Sequence, residues 1–235
     1  MREGSTGMAR QLYELCGRDP ARVFSPYCWR IRMALAHKGL DFDSMPWRFT
    51  ETDRLAFADC DKVPVLVDGA RTVADSWAIA QYLDEAYPDA PSLLHGRPAA
   101  YRFIQAWTDA VLHASLVRLI VSDIPALLDE PALGYFHASR EKRFGMKLEQ
   151  VTAGREDRLP AFRESLHPLR MVVRAQPFLG GDAPDYADHT VFGGFMWGRV
   201  CSPLALLEPG DPIGAWVERM LDLHGGMARQ VPAAA

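Results

Sequence analysis

Lys62-Val63-Pro64-Val65-Leu66-Val67-Asp68-Gly69, followed by Arg71 to Ala74 and then Asp75-Ser76, is the stretch on which the fold turns. Val63 to Val67 is an apolar run of strand length, Asp68-Gly69 is a strong hairpin signal, and Arg71 to Ala74 reads as the return strand, antiparallel to the first. Ser76 to Tyr87 then places Ile79, Ala80, Leu83 and Ala86 at helical spacing, and Pro88 ends that helix. Pro64 donates no ladder hydrogen bond, so it belongs at a strand start, an edge or a bulge. The bond before it is either trans, the ordinary case, or cis, which would leave the Val63 backbone facing outward.

Towards the N-terminus, Leu12 to Cys16 is a short strand pattern, Ser25-Pro26 opens a helix that runs to Lys38 and stops at Gly39, and Asp41 to Trp47 returns as a second strand. Strand, helix, strand, hairpin and helix make an α/β layer with a parallel, right-handed first crossover, an order that fits a thioredoxin-like unit. Towards the C-terminus, Pro88 to Pro98 turns rich in Pro, Asp, Ser and Gly and reads as a linker. Beyond it strand signals almost vanish. Tyr101 to Ser122 is periodic and helical, Ala138 to Ala175 fits one kinked or two shorter helices, and Asp185 to Asp188 is a capping signal before Thr190 to Val200. The expected division is residues 8–87, a linker at 88–98 and an all-helical unit at 99–235, with residues 1–7 a leader ahead of Met8.

The 235 residues are 49% hydrophobic and 24% charged, which suits a packed core and excludes a disordered or collagen-like chain. No segment approaches the ~20 apolar residues needed to span a bilayer. A net charge of −4 with scattered basic residues disfavours nucleic-acid binding. Cys16, Cys28, Cys60 and Cys201 lack paired spacing and no signal region precedes them, so a reducing cytoplasm is expected. The seven histidines form no metal-binding pattern, and no metal is expected. Gly193, Gly194 and Gly198 read as close-packing positions inside a core.

Two helix starts could carry chemistry. Ser25 sits where a strand hands over to a helix, beside free N–H groups and the positive end of the helix dipole, where a thiolate would be stabilised; the plainer reading is an N-cap worth about 1 kcal/mol. Cys28, one turn on, reads as a buried hydrophobe, since a dithiol motif would need cysteine at position 25. Asp75 and Ser76 could hold the ammonium and carboxylate of an amino-acid group, or could simply cap.

Taken in order, Ser25-Pro26-Tyr27-Cys28-Trp29-Arg30, Val63-Pro64-Val65-Leu66 and Asp75-Ser76 leading into Ile79-Ala80-Gln81-Tyr82-Leu83 closely resemble the N-terminal domain of the cytosolic glutathione transferases. The resemblance extends over the linker and the helical half. Its wording is most like the bacterial beta-etherases and their fungal relatives, which cleave aryl ethers with glutathione. It implies a glutathione transferase fold, with an α/β thioredoxin-like N-terminal domain and an all-α C-terminal domain, and glutathione as co-substrate.

The resemblance also implies roles. Ser25 falls on the thiol-activating position, Pro64 on a cis-proline, Val63 on the backbone partner of the cysteinyl unit, Asp75 and Ser76 on the γ-glutamyl clamp, and Lys62 on a polar position beside the tripeptide. Arg48 is either a basic residue for the glycyl carboxylate or a solvated surface arginine. Serine at position 25, where cysteine-type members carry their nucleophile, argues against reduction through a mixed disulfide. The electrophile is expected in an apolar cleft lined by Phe103, Trp107 and Val111, which could equally be plain core. A homodimer is implied. The competing reading is a non-catalytic binding protein on the same fold.

Overall fold

The computed structural model describes residues 10–235; the leader reading of residues 1–7 and the start of the first unit at residue 8 lie outside the described residues. The first half contains β1 (Arg10–Leu15), α1 (Pro26–His37), β2 (Phe42–Trp47), β3 (Val65–Asp68), β4 (Arg71–Ala74) and α2 (Ser76–Ala86). The strands form one sheet in the order β2-β1-β3-β4, with β1 parallel to β2 and antiparallel to β3, and β4 antiparallel to β3. This is the thioredoxin-like arrangement expected from the sequence.

α1 carries the crossover and has two working faces. Ile31, Ala34 and Leu35 pack with Leu12 and Leu66 of the sheet and Ile79 and Leu83 of α2. Cys28, Trp29 and Met33 join the core of the helical half. Gly39, at φ +66°, supplies the left-handed turn that stops the chain after α1.

The segment read as a linker is tied down. The Asp84 carboxylate accepts the N–H groups of Leu93 and Leu94, both at 2.8 Å, and pairs with the buried Lys38 ammonium at 2.7 Å. Leu93 and Leu94 are buried with α1 and α2.

The second half contains α3 (Pro98–Trp107) and α4 (Ala114–Ile120), joined without a break by a π-helical segment, Thr108–His113. Thr108 donates its hydroxyl to the Ile104 carbonyl at 2.8 Å and Ser115 donates to that of Val111, back-bonds that loosen the α-helical ladder on either side. There follow α5 (Ala132–Phe144), α6 (Leu148–Thr152), α7 (Arg155–Ser165), α8 (His167–Ala175), α9 (Tyr186–Cys201) and α10 (Pro212–Gly226). The stretch from Ala138 to Ala175 is therefore not one or two helices but the end of α5 plus three more. Gly145 and Gly154, both in the left-handed conformation, interrupt it.

α9 is the axis of the molecule, buried along nearly all its length and packed against α1. Its start is a capping box, as the sequence suggests: Asp185 accepts the Ala187 N–H at 2.8 Å and Asp188 accepts that of Asp185 at 3.2 Å. Asp188 also takes the N–H groups of Leu179, Gly180 and the Trp216 indole at 2.8 to 2.9 Å. Burial nevertheless pushes its carboxyl up to about 6, against the pull of those donors. A Cβ on Gly193 would run into the Pro26 carbonyl, and one on Gly194 or Gly198 would press on the methyls of Leu112 or Leu206, the close-packing role expected of them. At the junction of α1 and α9 the rings of His37 and His189 meet edge to face at 5.2 Å, and His189 is fully buried. No helix of the described residues is long and apolar enough to cross a membrane.

Candidate functional site

The site is built at the two helix starts. Ser25 caps α1: its Oγ accepts the Cys28 N–H at 3.4 Å, and its own O–H donates to no acceptor among the described residues. Ser25 is 5% exposed, and that exposed edge faces a cleft of about 390 Å³ between the two halves of the chain. Cys28 is no competitor for thiol chemistry, because complete burial pushes its thiol up to about 12.

The Val63–Pro64 bond is cis. The Val63 N–H and carbonyl have no backbone partner among the described residues, so they remain available to a ligand, while the Pro64 carbonyl accepts the Asp75 N–H at 3.3 Å. That bond brings the β3 entrance and the start of α2 together. Asp75 sits at φ +79° and ψ +131°, a region costly for any residue but glycine, and strain of this kind gathers at functional sites. One carboxylate oxygen of Asp75 caps α2 through Trp77 and Ala78, and the residue itself is exposed. Ser76 beside it is buried. Ser25, Lys62 and Val63 line the cleft, with Pro64, Asp75 and Ser76 joined to its edge through Val63 and the Pro64–Asp75 bond. The Lys62 side chain is 84% exposed at the rim.

Arg48 does not line the cleft; it donates to the Gly17 carbonyl and pairs with Glu51 at 3.4 Å. Nor do Phe103, Trp107 and Val111. Phe103 is 74% exposed on the outer face of α3, and Trp107 and Val111 are half-buried away from the cleft. Their periodicity marks an apolar stripe correctly, but periodicity cannot say what covers a stripe. The α3–α4 rod presents Asp109, His113, Ala114, Val117 and Val121 to the cleft instead.

Sequence reading missed the polar part of this wall. The fully buried Arg30 of α1 donates to Asp109 at 2.5 Å, and His113 lies 3.3 Å from the same carboxylate oxygen. Burial raises the Asp109 carboxyl, but His113 and the Arg30 charge together outweigh it and hold it below its usual range. Burial pulls the His113 imidazole below its ordinary value. Tyr27 covers this group, its ring 4.6 Å from the Arg30 guanidinium and edge to face with His113 at 5.6 Å. Across the cleft α5 contributes Tyr135, Phe136, Arg140 and Arg143. The charged run Ser139-Arg140-Glu141-Lys142-Arg143 lies in the stretch read only as helical, and no local signal separates the two arginines from it.

Comparison with known proteins meets this geometry at both halves. Residues 24–86 match the family model described as the N-terminal domain of glutathione S-transferase, and residues 99–208 match that of its C-terminal domain. Glutathione S-transferase U22 of Arabidopsis thaliana is 26% identical over 193 residues, covering 80% of this chain and 77% of that protein. The structure of glutathione transferase GSTFuA3 from Phanerochaete chrysosporium superposes with a TM-score of 0.75 at 24% identity, covering 96% of this chain and 95% of that one. That of a glutathione S-transferase of Ceriporiopsis subvermispora, solved in complex with glutathione, gives 0.74 at 20% identity, covering 96% and 97%. At those identities the two structures speak for the fold.

Proposed function

The chain belongs to the glutathione transferase family, and on that footing we propose that it activates the thiol of glutathione for attack on an apolar electrophile. The observation that carries the reading is the uncommitted Ser25 O–H, held at the positive end of α1 and turned to the cleft. A thiol of pKa about 8.5 is mostly protonated at neutral pH, and a helix N-terminus with a hydroxyl donor lowers such groups into the range of roughly 3.5 to 7.5. Ser25 then donates to the sulfur and is not itself the nucleophile. The thiol proton leaves to solvent, the sulfur forms a bond to the electrophilic carbon, and the leaving group departs with its electron pair.

In this reading Val63 pairs with the cysteinyl backbone through its free N–H and carbonyl, presented by the cis bond to Pro64. Asp75 and Ser76 hold the γ-glutamyl end, and the exposed Lys62 lies beside the tripeptide. Residues 8–87 serve glutathione, 99–235 the electrophile, and 88–98 join them. The outward-facing Phe103 suits an interface with a second copy, in keeping with a cytoplasmic homodimer. The motif wording, Ser25-Pro26-Tyr27 with Trp29-Arg30 and Asp75-Ser76-Trp77, supports a finer proposal: the electrophile is a β-aryl ether, from which the thiolate displaces an aryloxide. The relatives named above are plant and fungal transferases and do not single out that chemistry.

The test is turnover of a generic aryl halide and of a model β-aryl ether with glutathione. Thioether formed from either supports the transferase, and released phenol supports the etherase chemistry. Glutathione binding with no turnover of any electrophile tried would leave a binding protein.

A further inference from the structure

We propose that the electrophile this cleft is shaped for is an aromatic anion, its carboxylate or sulfonate met by Arg140 and Arg143 and its ring by the aromatic cluster beneath them. The proposal rests on the transferase reading for the other occupant of the cleft and narrows its electrophile from an apolar molecule to an apolar ring that carries one anionic group.

Arg140 is half-buried, with its guanidinium over the rings of Phe49 at 5.2 Å and Phe136 at 4.9 Å. Such stacking immobilises the plane of the guanidinium and leaves its N–H edge available for a planar anion. Its neutral partners are the neighbouring Ser139 hydroxyl, at 3.0 Å, and the Tyr135 hydroxyl. Among the described residues no carboxylate lies within 4.0 Å of Arg140 or Arg143, both of which line the cleft. Glu141, between them in sequence, is engaged elsewhere, with Lys147 at 2.6 Å and His137 at 3.5 Å.

The carboxylates of the cleft wall do not compensate. Asp109 is committed to Arg30 and His113, and Asp61, largely exposed, lies 4.0 Å from Lys62. Burial lowers the Arg140 pKa, Tyr135 opposes the fall and the charge of Arg143 adds to it, so the cation still gains from a counter-charge. A desolvated guanidinium without a partner is unfavourable, and an incoming carboxylate removes that cost. Beside the two arginines the wall is aromatic and aliphatic. Phe49 and Phe136 are 5.6 Å apart, Phe49 and Tyr135 6.0 Å, and Val117, Val121 and Ile124 complete the slot. Tilted rings at these separations leave faces and edges on which a further aromatic group can pack.

The experiment compares chlorodinitrobenzene with its ring-carboxylated analogue, with glutathione, for the full chain and the Arg140→Gln, Arg140→Lys and Arg143→Gln variants. Dissociation constants of dinitrobenzoate, which has no leaving group, are measured alongside by calorimetry. The unmodified protein should prefer the carboxylated member in kcat/KM, and the preference should fall by roughly 10- to 100-fold in Arg140→Gln, the range for hydrogen bonds to charged groups. Arg140→Lys should restore part of it, and added salt should erode it. Arg143→Gln, at an exposed position, should show the same direction even if Arg140→Gln does not fold. Equal handling of the two halides together with no dinitrobenzoate binding overturns the proposal, as does a preference that survives both substitutions. If neither halide reacts yet dinitrobenzoate binds in an Arg140-dependent way, the anion site stands and the transferase reading fails.

Discussion

A Cβ placed on Gly193 would lie 2.3 Å from the carbonyl oxygen of Pro26, so the backbone of α9 rests directly on the first turn of α1. The turn that presents Ser25 is thus seated on the helical half of the molecule. Gly193→Ala must push these two backbones apart, because a carbonyl oxygen cannot swing aside as a side chain can. We expect a loss of roughly 1 to 3 kcal/mol, the cost of overpacking, read as a fall in the denaturant midpoint. Turnover of the folded variant should also drop, since Ser25 moves with Pro26. A variant of ordinary stability and full activity would show that α9 does not set the position of this turn.

Ser25→Ala removes both a cap and the proposed donor to sulfur, and the two effects separate by measurement. Loss of the cap should lower stability by about 1 kcal/mol. Loss of the donor should reduce turnover and shift the rising limb of the pH–rate profile to higher pH while glutathione still binds. An unmoved limb with unreduced turnover would confine Ser25 to capping.

Asp75→Asn keeps a capping side chain of the same shape on the same strained backbone, but removes the charge. Glutathione affinity measured by calorimetry should weaken by roughly 1.5 to 3 kcal/mol, with little change in melting temperature. Unchanged affinity would remove Asp75 from the clamp and leave its strained backbone without a functional account.

The histidines at the junction of α1 and α9 make the fold sensitive to acid. Burial lowers the pKa of His37, His189 and His224 below the ordinary 6.5; at His37 the Ser92 backbone and Asp185 oppose the effect, and Lys38 and His95 reinforce it. The folded state therefore binds fewer protons than the unfolded one. Stability from this group is fully present above about pH 6.5 and is lost as the pH falls. His189→Leu should flatten the decline in urea stability between pH 7 and about pH 5. Asp188, whose carboxyl is raised to about 6, acts in the opposite sense, but it is common to both proteins and cancels in the comparison. Parallel slopes for the two proteins would assign the acid sensitivity to other groups.

What the sequence made legible follows the range of the interactions. Strand pairing at Asp68-Gly69, the caps at Ser25 and Asp185 and the stop at Gly39 are settled within a few residues, and each falls where local chemistry places it. The order of the motifs also led to the right family. The cleft wall was not legible, because Asp109 acquires its meaning from Arg30, 79 positions earlier in the chain, and Arg140 acquires its from Phe49 on the other side of the cleft. Phe103 shows the converse, an apolar residue with sound periodicity whose face turns to solvent.

The π-helical segment between α3 and α4 gives the cleft an unusual means of divergence. A π turn holds one residue more than an α turn, so one codon lost between Thr108 and His113 would let the rod close into a continuous α-helix, re-aiming the side chains of this turn while leaving α3 and α4 nearly in phase. A chain shorter by that one residue could keep every other side chain of the rod and still accept different molecules, and a position-by-position comparison of the two sequences would score them as nearly the same.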